Sequence, residues 1–222
     1  TPENLIEASK LGIYDILQKP FDKNHLLEVV SKYETTTSDI ESSKLHHLTI
    51  ADKKFIGSFE TMKEVYRQIG LCANNDFAVL INGETGTGKE LVANLIHSNS
   101  SRTSSPFIAV NCASIPSELF ESHFFGHEKG SFTSADKQHI GYAEQVNQGT
   151  LFLDEIGELD ILLQSKLLRF LENRTFRRVG GTVDIAFKGR IISATNVDLE
   201  HYIGLNRFRE DLFFRLGMTT IN

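Results

Sequence analysis

Residues 77–90 read FAVLINGETGTGKE. The run Phe77 to Ile81 is apolar without polar alternation, as in a strand buried on both faces. Gly83 to Lys89 then supplies the G-x-x-x-x-G-K frame, and Lys89 to His97 carries a helical pattern. In such a loop, glycines let backbone N–H groups turn inward toward phosphate oxygens, the lysine reaches the outer phosphates, and the helix offers its positive end. The cradle thus comprises Gly83, Glu84, Thr85, Gly86, Thr87, Gly88, Lys89 and Glu90. A plain glycine-rich turn is the alternative, but it does not account for the strand before and the helix after. Glu90 stands where the general pattern has Ser or Thr to touch magnesium, so that ligand must be replaced or dispensed with.

Three more apolar runs follow: Phe107 to Val110, Leu151 to Leu153 and Arg190 to Ala194. With helical stretches between them, including Leu159 to Leu171, they predict a parallel sheet flanked by helices, an α/β fold. Ligands gather outside the carboxyl ends of such strands. The residues there are the Gly83–Lys89 loop, Asn111, the pair Asp154 and Glu155, and Thr195 with Asn196. All are polar, and together they suit a nucleotide. From the end of its strand Asp154 can hold magnesium directly or through water, and Glu155 can accept a proton from an attacking water. Capping of the next helix is the competing use of Asp154, yet it explains neither the pair nor its place. Arg209 and Arg215 flank FREDLFFR; guanidinium suits developing phosphoryl charge, but spacing alone favours surface ion pairing with Glu210 or Asp211.

The chain has 222 residues with 40% hydrophobic content, enough for one main domain and a small appendage. No apolar run approaches the ~18 residues of a membrane span, and no basic region followed by an apolar stretch opens the chain, so a cytoplasmic protein without membrane contact is expected. The net charge of -6 argues against a broad face gripping a nucleic-acid backbone. Cys72 and Cys112 lack metal-site spacing and read as reduced, structural thiols. Residues 1–34 read as helix, strand (Ile13 to Leu17) and helix. Residues 35–54 have linker composition, and the main domain spans 55–222. The chain opens mid-pattern and stops at Asn222 without an evident closing element, as a piece of something longer would.

His123 and His127 are four apart, but Gly126 interrupts the helix and no third ligand is signalled, so metal binding is not expected of them. His46 and His47 read as solvated linker residues. Cys112 has no positioned His or Asn partner for nucleophilic catalysis. Arg169, Arg174, Arg177 and Arg178 suit either a polyanion or a solvated or subunit-contacting face.

In order, GETGTGKE, ESHFFGHEKGSFTSA, GTLFLDEIGEL, RTFRRVGG, SATN and FREDLFFRL occupy residues 83–216. The sequence from 55 to 222 resembles the AAA+ domain of NtrC-like, sigma-54-dependent transcriptional activators. In that family the loop carries the same Glu found at position 90. The resemblance makes Lys89 the phosphate lysine, Asp154 the magnesium-side acid, Glu155 the catalytic base and Asn111 the switch that restrains it. Thr195 and Asn196 match the γ-phosphate sensor, and Arg209 and Arg215 match fingers supplied by a neighbouring subunit, which reverses the preference for ion pairing. Ile56 and Gly57 count among the nucleotide-binding residues.

The family's sigma-contacting loop Gly-Ala-Phe-Thr-Gly-Ala reads here Gly130, Ser131, Phe132, Thr133, Ser134, Ala135. Phe132 and Thr133 are retained; Ser134 in place of glycine removes conformational freedom at the turn. LGIYDILQKPF resembles the end of a response-regulator receiver, with Lys19 as its phosphate-sensing lysine; the phosphorylatable aspartate would lie upstream. The resemblance therefore implies an ATP- and magnesium-dependent ATPase of a two-component system. It would form a ring, expected to be a hexamer, that remodels sigma-54 RNA polymerase. A sensor kinase would act through the full receiver, and DNA would be met through a C-terminal domain outside this chain. An ATP-binding assembly or regulatory module that does not engage sigma-54 is the alternative, motivated by Ser131 and Ser134.

Overall fold

A computed structural model describes residues 2–11, 13, 59–133 and 135–222. They fall into two compact units, Thr1–Asn75 and Asp76–Asn222. In the first, helix Pro2–Lys10 buries Leu5, Ile6 and Ala8, and helix Phe59–Ala73 buries Tyr66, Ile69, Cys72 and Ala73. The period-3.6 pattern Met62, Val65, Ile69, Cys72 marks that buried side, although Met62 and Val65 are only half-buried. The expected strand beyond Ile13, the second receiver-like helix, the linker 35–54, and Ile56 and Gly57 lie outside the described residues.

In the second unit the described strands are β1 Val79–Asn82, β2 Phe107–Asn111, β3 Gly126–His127, β4 His139–Ile140, β5 Thr150–Asp154, β6 Thr175–Phe176, β7 Ile185–Ala186, β8 Arg190–Thr195 and β9 Thr219–Ile221. Five form one sheet in the order β2-β5-β8-β1-β9. Every pairing in it is parallel. Its middle strands are the most buried: all six residues of β8 and the first four of β5 are out of water, whereas edge strand β2 buries only Val110. That gradient is what an open sheet covered on both faces produces. The four apolar runs seen in the sequence are β1, β2, β5 and β8, each shifted or extended by one polar residue at its carboxyl end. Phe77 is excluded from β1 and is 55% exposed.

Helices Lys89–Ser98, Ser117–Phe125 and Ile161–Asn173 flank the sheet. The last starts later than its apolar pattern suggests because Asp160 caps it, the Oδ1 accepting from Leu162 N–H at 2.8 Å. With no tryptophan in the chain, phenylalanines bind these layers together. Phe170 meets Phe124 at 5.5 Å, Phe125 at 5.6 Å and Phe187 at 4.7 Å, all near edge-to-face. Under the sheet, His97 Nδ1 lies 2.9 Å from Thr150 Oγ1, and both residues are buried.

Two outcomes follow for stability. Phe170→Ala should lower the unfolding free energy by about 3–5 kcal/mol in urea titrations, whereas Leu162→Ala, 74% exposed on the same helix, should change it by less than about 0.5 kcal/mol. Burial holds the His97 imidazole below the ordinary histidine range. The unfolded chain therefore binds this proton first, so the contribution of neutral His97 is complete above about pH 6.5 and is lost as pH falls through the lower folded value. Denaturation midpoints should drop on acidification across that window, and His97→Gln should flatten the drop; an unchanged slope would contradict this assignment.

Candidate functional site

Parallel register brings the polar strand ends together. Asn82 of β1 pairs with Thr195 of β8, and Asn111 of β2 pairs with Asp154 of β5. Strand β5 lies beside β8, so the Gly83–Lys89 loop, the acidic pair and the Thr195–Asn196 turn leave the same edge of the sheet.

The loop is built by left-handed backbone at Gly86 (φ +85°) and Gly88 (φ +94°), a conformation that side chains with a Cβ resist. Gly88 is also the N-cap of helix Lys89–Ser98 and provides no side-chain acceptor, so the helix's first N–H groups have no side-chain cap. Thr87 Oγ1 donates to the Glu84 carbonyl at 2.8 Å. Lys89 is buried and its Nζ donates to the carbonyls of Gly83 at 2.8 Å and Glu84 at 2.9 Å. The ammonium thus sits at the loop mouth on weak neutral acceptors, from which an anion can recruit it. Glu90 is exposed in the first turn.

Asp154 Oδ1 accepts from the Glu155 N–H at 3.0 Å. Burial pushes the Asp154 carboxyl above the usual range; Glu155 and Glu90 reinforce the shift and Lys89 opposes it. Surplus negative charge collects there, which a cation would offset. Glu155 itself adopts φ 52°, ψ 46°, a left-handed conformation costing about 1–2 kcal/mol for a residue with a Cβ. Next to it, Gly157 admits no side chain: a Cβ would lie 2.4 Å from Val197 Cγ2 and 3.0 Å from Thr195 Oγ1. Gly157 is a site residue that sequence reasoning passed over, since a lone glycine after an acidic pair signals only a turn.

Asn111 uses its side-chain oxygen to accept from Ala113 and Ser114 N–H, both at 3.0 Å, capping a short helical turn. Thr195 is buried; its carbonyl accepts from Gly83 N–H at 3.2 Å and its Oγ1 from Val197 N–H at 3.2 Å. Asn196 Nδ2 donates to Thr85 Oγ1 at 3.0 Å, linking the β8 turn directly to the loop. Beside this link lies a cavity of about 380 Å³ lined by Asn82, Gly83, Glu84, Thr195, Asn196 and Phe213 among others. Cys112 is buried and its thiol is pushed up to about 12, by burial first and then by Asp154 and Glu155, so it is no nucleophile.

The two arginines are placed apart from this cluster. Arg209 forks onto Asp211 at 2.7 and 3.0 Å and reaches Ser165 Oγ at 3.3 Å; Arg215 donates to the Leu171 carbonyl at 3.3 Å. For Arg209 the ion pairing suggested by spacing is the arrangement seen within one chain, whereas Arg215 meets a main-chain carbonyl instead. Of the arginine cluster, Arg174 lies over the Phe187 ring, Arg177 pairs with Asp184, and Arg178 pairs with Glu128 and Glu144, so three of the four are held by intramolecular partners. Phe132 is 39% exposed on the segment between β3 and β4, with Thr133 beside it; Ser134 lies outside the described residues.

Comparison with known proteins matches residues 55–222 to the Sigma-54 interaction domain. The DNA-binding transcriptional regulator NtrC of Proteus hauseri is 43% identical over 217 residues, covering 97% of this chain and 46% of the relative. The regulatory protein AtoC of Escherichia coli K12 is 43% identical over 220 residues, and the response regulator protein PilR of Pseudomonas aeruginosa 42% identical over 216; each covers 97% of this chain and 48% and 47% of the respective relative. The chain thus spans about half the length of these relatives. Among solved structures, NtrX from Brucella abortus in complex with ATP is 35% identical with a TM-score of 0.69, covering 99% of this chain and 46% of that one. The same protein in complex with ADP is 34% identical at TM-score 0.69, covering 95% and 44%. The glycine-rich Gly83–Lys89 loop after β1, an acidic pair after β5 and a match over residues 55–222 lead to one conclusion: the chain belongs to the sigma-54 interaction domain family and has its AAA+ P-loop fold.

Proposed function

We propose that this chain binds ATP at the carboxyl edge of its sheet and hydrolyses it, as the motor part of a sigma-54-dependent activator of a two-component system. The observation that carries the reading is the convergence, through parallel register, of the Gly83–Lys89 loop, Asn111, Asp154, Glu155, Thr195 and Asn196. The NtrX structures with ATP and ADP support a nucleotide as the ligand.

In this mechanism the phosphates take up the N–H groups from Gly86 to Glu90, and Lys89 exchanges the carbonyls of Gly83 and Glu84 for phosphate oxygens. Thr195 and Asn196 sense the γ-phosphate. Asp154 suits magnesium because its carboxyl sits in a pocket of surplus negative charge. Among the described residues no group of three or more His, Cys, Asp or Glu side chains is arranged to hold a metal ion, so the remaining ligands would come from phosphate and water. When bound, magnesium neutralises charge on the β- and γ-phosphates. Glu155 takes the proton of the attacking water, and Asn111 restrains Glu155 until the site is loaded. Arg209 and Arg215 leave their own-chain partners to complete the site of a neighbouring subunit in a ring, for which a hexamer is the expected size. Ile56 and Gly57 contribute to the nucleotide pocket.

Residues 1–34 are the end of a receiver, 35–54 a linker and 55–222 the ATPase. Phe132 and Thr133 form the tip that meets sigma-54, while a sensor kinase and DNA are engaged through parts of the protein outside this chain. The partner of this domain is then sigma-54 RNA polymerase.

Turnover measured against protein concentration should rise per subunit in the wild type, and Glu155→Gln should lose at least about 100-fold while still binding nucleotide. Equal turnover in the variant would remove Glu155 from the catalytic role. In the presence of ADP and aluminium fluoride the chain should co-elute with sigma-54, and Phe132→Ala should abolish co-elution without slowing hydrolysis. Wild-type hydrolysis with no co-elution would replace the activator reading with that of an ATP-driven assembly module.

A further inference from the structure

Away from the strand-end site, three histidines gather where the Phe132 segment joins the fold. His127 and His139 face each other as one of the two residue pairs in the β3–β4 ladder. Their rings stack at 5.5 Å between centroids with 29° between planes. His123, from helix Ser117–Phe125, lies edge-on to His139 at 5.9 Å and stacks on Tyr142 at 6.4 Å. The other side of His127 meets Phe132 edge-to-face at 4.9 Å.

The charged groups around the cluster are paired mainly with one another. From the Ser117–Phe125 helix come His123 and Ser122, whose Oγ lies 2.8 Å from His127 Nδ1. From the hairpin come Glu128 and Gln138, from helix Tyr142–Gln145 come Tyr142 and Glu144, and from the 177–181 segment comes Arg178. Both carboxylates are already committed: Glu144 takes two bonds from Arg178, and Glu128 takes one from Arg178 and one from Gln138. The Glu128 carboxylate also feels the charge of His127, but it is shared with Arg178 and Gln138. Burial first, then the positive charges of His127 and His123, holds the His139 imidazole below the ordinary histidine range.

Closure of the segment combines a long-range tie at its base, where Glu128 N–H donates to the Val179 carbonyl at 3.0 Å, with short-range bonds toward its tip. Gly130 N–H donates to the Ala135 carbonyl at 2.8 Å, Ala135 N–H to that of Phe132 at 3.0 Å and Ser131 N–H to that of Glu128 at 3.2 Å. Beneath these bonds the ladder has only the pairs Gly126 with Ile140 and His127 with His139. Separating the two histidines would remove half of it.

We propose that His123, His127 and His139 form a proton-sensitive clasp that positions Phe132: neutral and stacked, they hold the hairpin shut, and charged, they repel one another and release it. His123 and His139 are positioning residues acting through His127, not groups that touch a partner. The clasp concerns the segment whatever partner Phe132 meets, so it stands or falls separately from nucleotide hydrolysis and from sigma-54 binding.

The test is an NMR titration of the whole chain from about pH 8 to about pH 5, the range in which imidazoles titrate, following histidine ring protons and the amides of Gly130, Phe132 and Ala135. The His139 midpoint should lie below the ordinary histidine range, and the three amides should shift with the histidine midpoints. His123→Gln should raise the His139 midpoint and carry the amide midpoint with it. His139→Gln should remove the amide transition, while His201→Gln, at an exposed position on helix Leu199–Gly204, should leave it in place. Amides that ignore the histidine midpoints, or a His139 midpoint unmoved by His123→Gln, would overturn the clasp.

Discussion

Parallel pairing of β1 with β8 sets Asn82 opposite Thr195, and pairing of β2 with β5 sets Asn111 opposite Asp154. Each ladder is held by main-chain hydrogen bonds inside a sheet whose central strands are buried, so a slip of one residue would turn apolar side chains toward the wrong layer. The core therefore enforces the register, and the register places the polar ends side by side. Removing Phe170 or the other rings that bind helices to the sheet would act on the site only through this chain of dependence. The loop after β1 adds what the sheet cannot, namely a tight turn made by two left-handed glycines at the head of the next helix.

Around that spot the electrostatics are unbalanced in a useful way. Lys89 is buried against neutral carbonyls, Asp154 is burdened by burial and by neighbouring acids, and Glu155 is held in a strained backbone conformation. Each of these costs free energy, and under the proposed function each would be relieved by a phosphate with its counter-ion or by a change at the acidic turn. Strain and surplus charge at a strand end are what distinguish a site for phosphoryl chemistry from a polar rim that merely meets water. The Asn196 to Thr85 bond joins the turn after β8 to the loop, so a change at one is felt at the other.

Most of this was legible in the sequence where the signal is local. Apolar runs located β1, β2, β5 and β8 to within a residue or two, and the loop spacing located the tight turn between β1 and the following helix. What escaped depends on three-dimensional context. Strand β9 is only Thr219 to Ile221, too short and polar to show a pattern, and it exists because β1 offers a free edge. The Leu159 start of the long helix was displaced by the Asp160 cap, a contest between apolar periodicity and a side-chain acceptor. Gly157 is needed because a Cβ there would come within 2.4 Å of Val197 in the turn after β8 and 3.0 Å of Thr195 at its end, which no spacing rule encodes. Arg209 shows the reverse case: spacing suggested an ion pair, the family resemblance suggested a finger for another subunit, and a single chain displays the ion pair with Asp211. The histidine clasp was invisible for the same reason, since His123, His127 and His139 meet only after the β3–β4 hairpin folds back.

The central claim is that the strand-end cluster is a triphosphate site organised by the Gly83–Lys89 loop. Calorimetric titration of the chain with ATP, beside Lys89→Ala at matched stability, tests it most directly. The account predicts saturable binding in the wild type and a loss of at least about tenfold in affinity in the variant, the size expected when a charge-assisted bond to phosphate is removed. Equal affinity in the two proteins, or no saturable binding to the wild type, would contradict it.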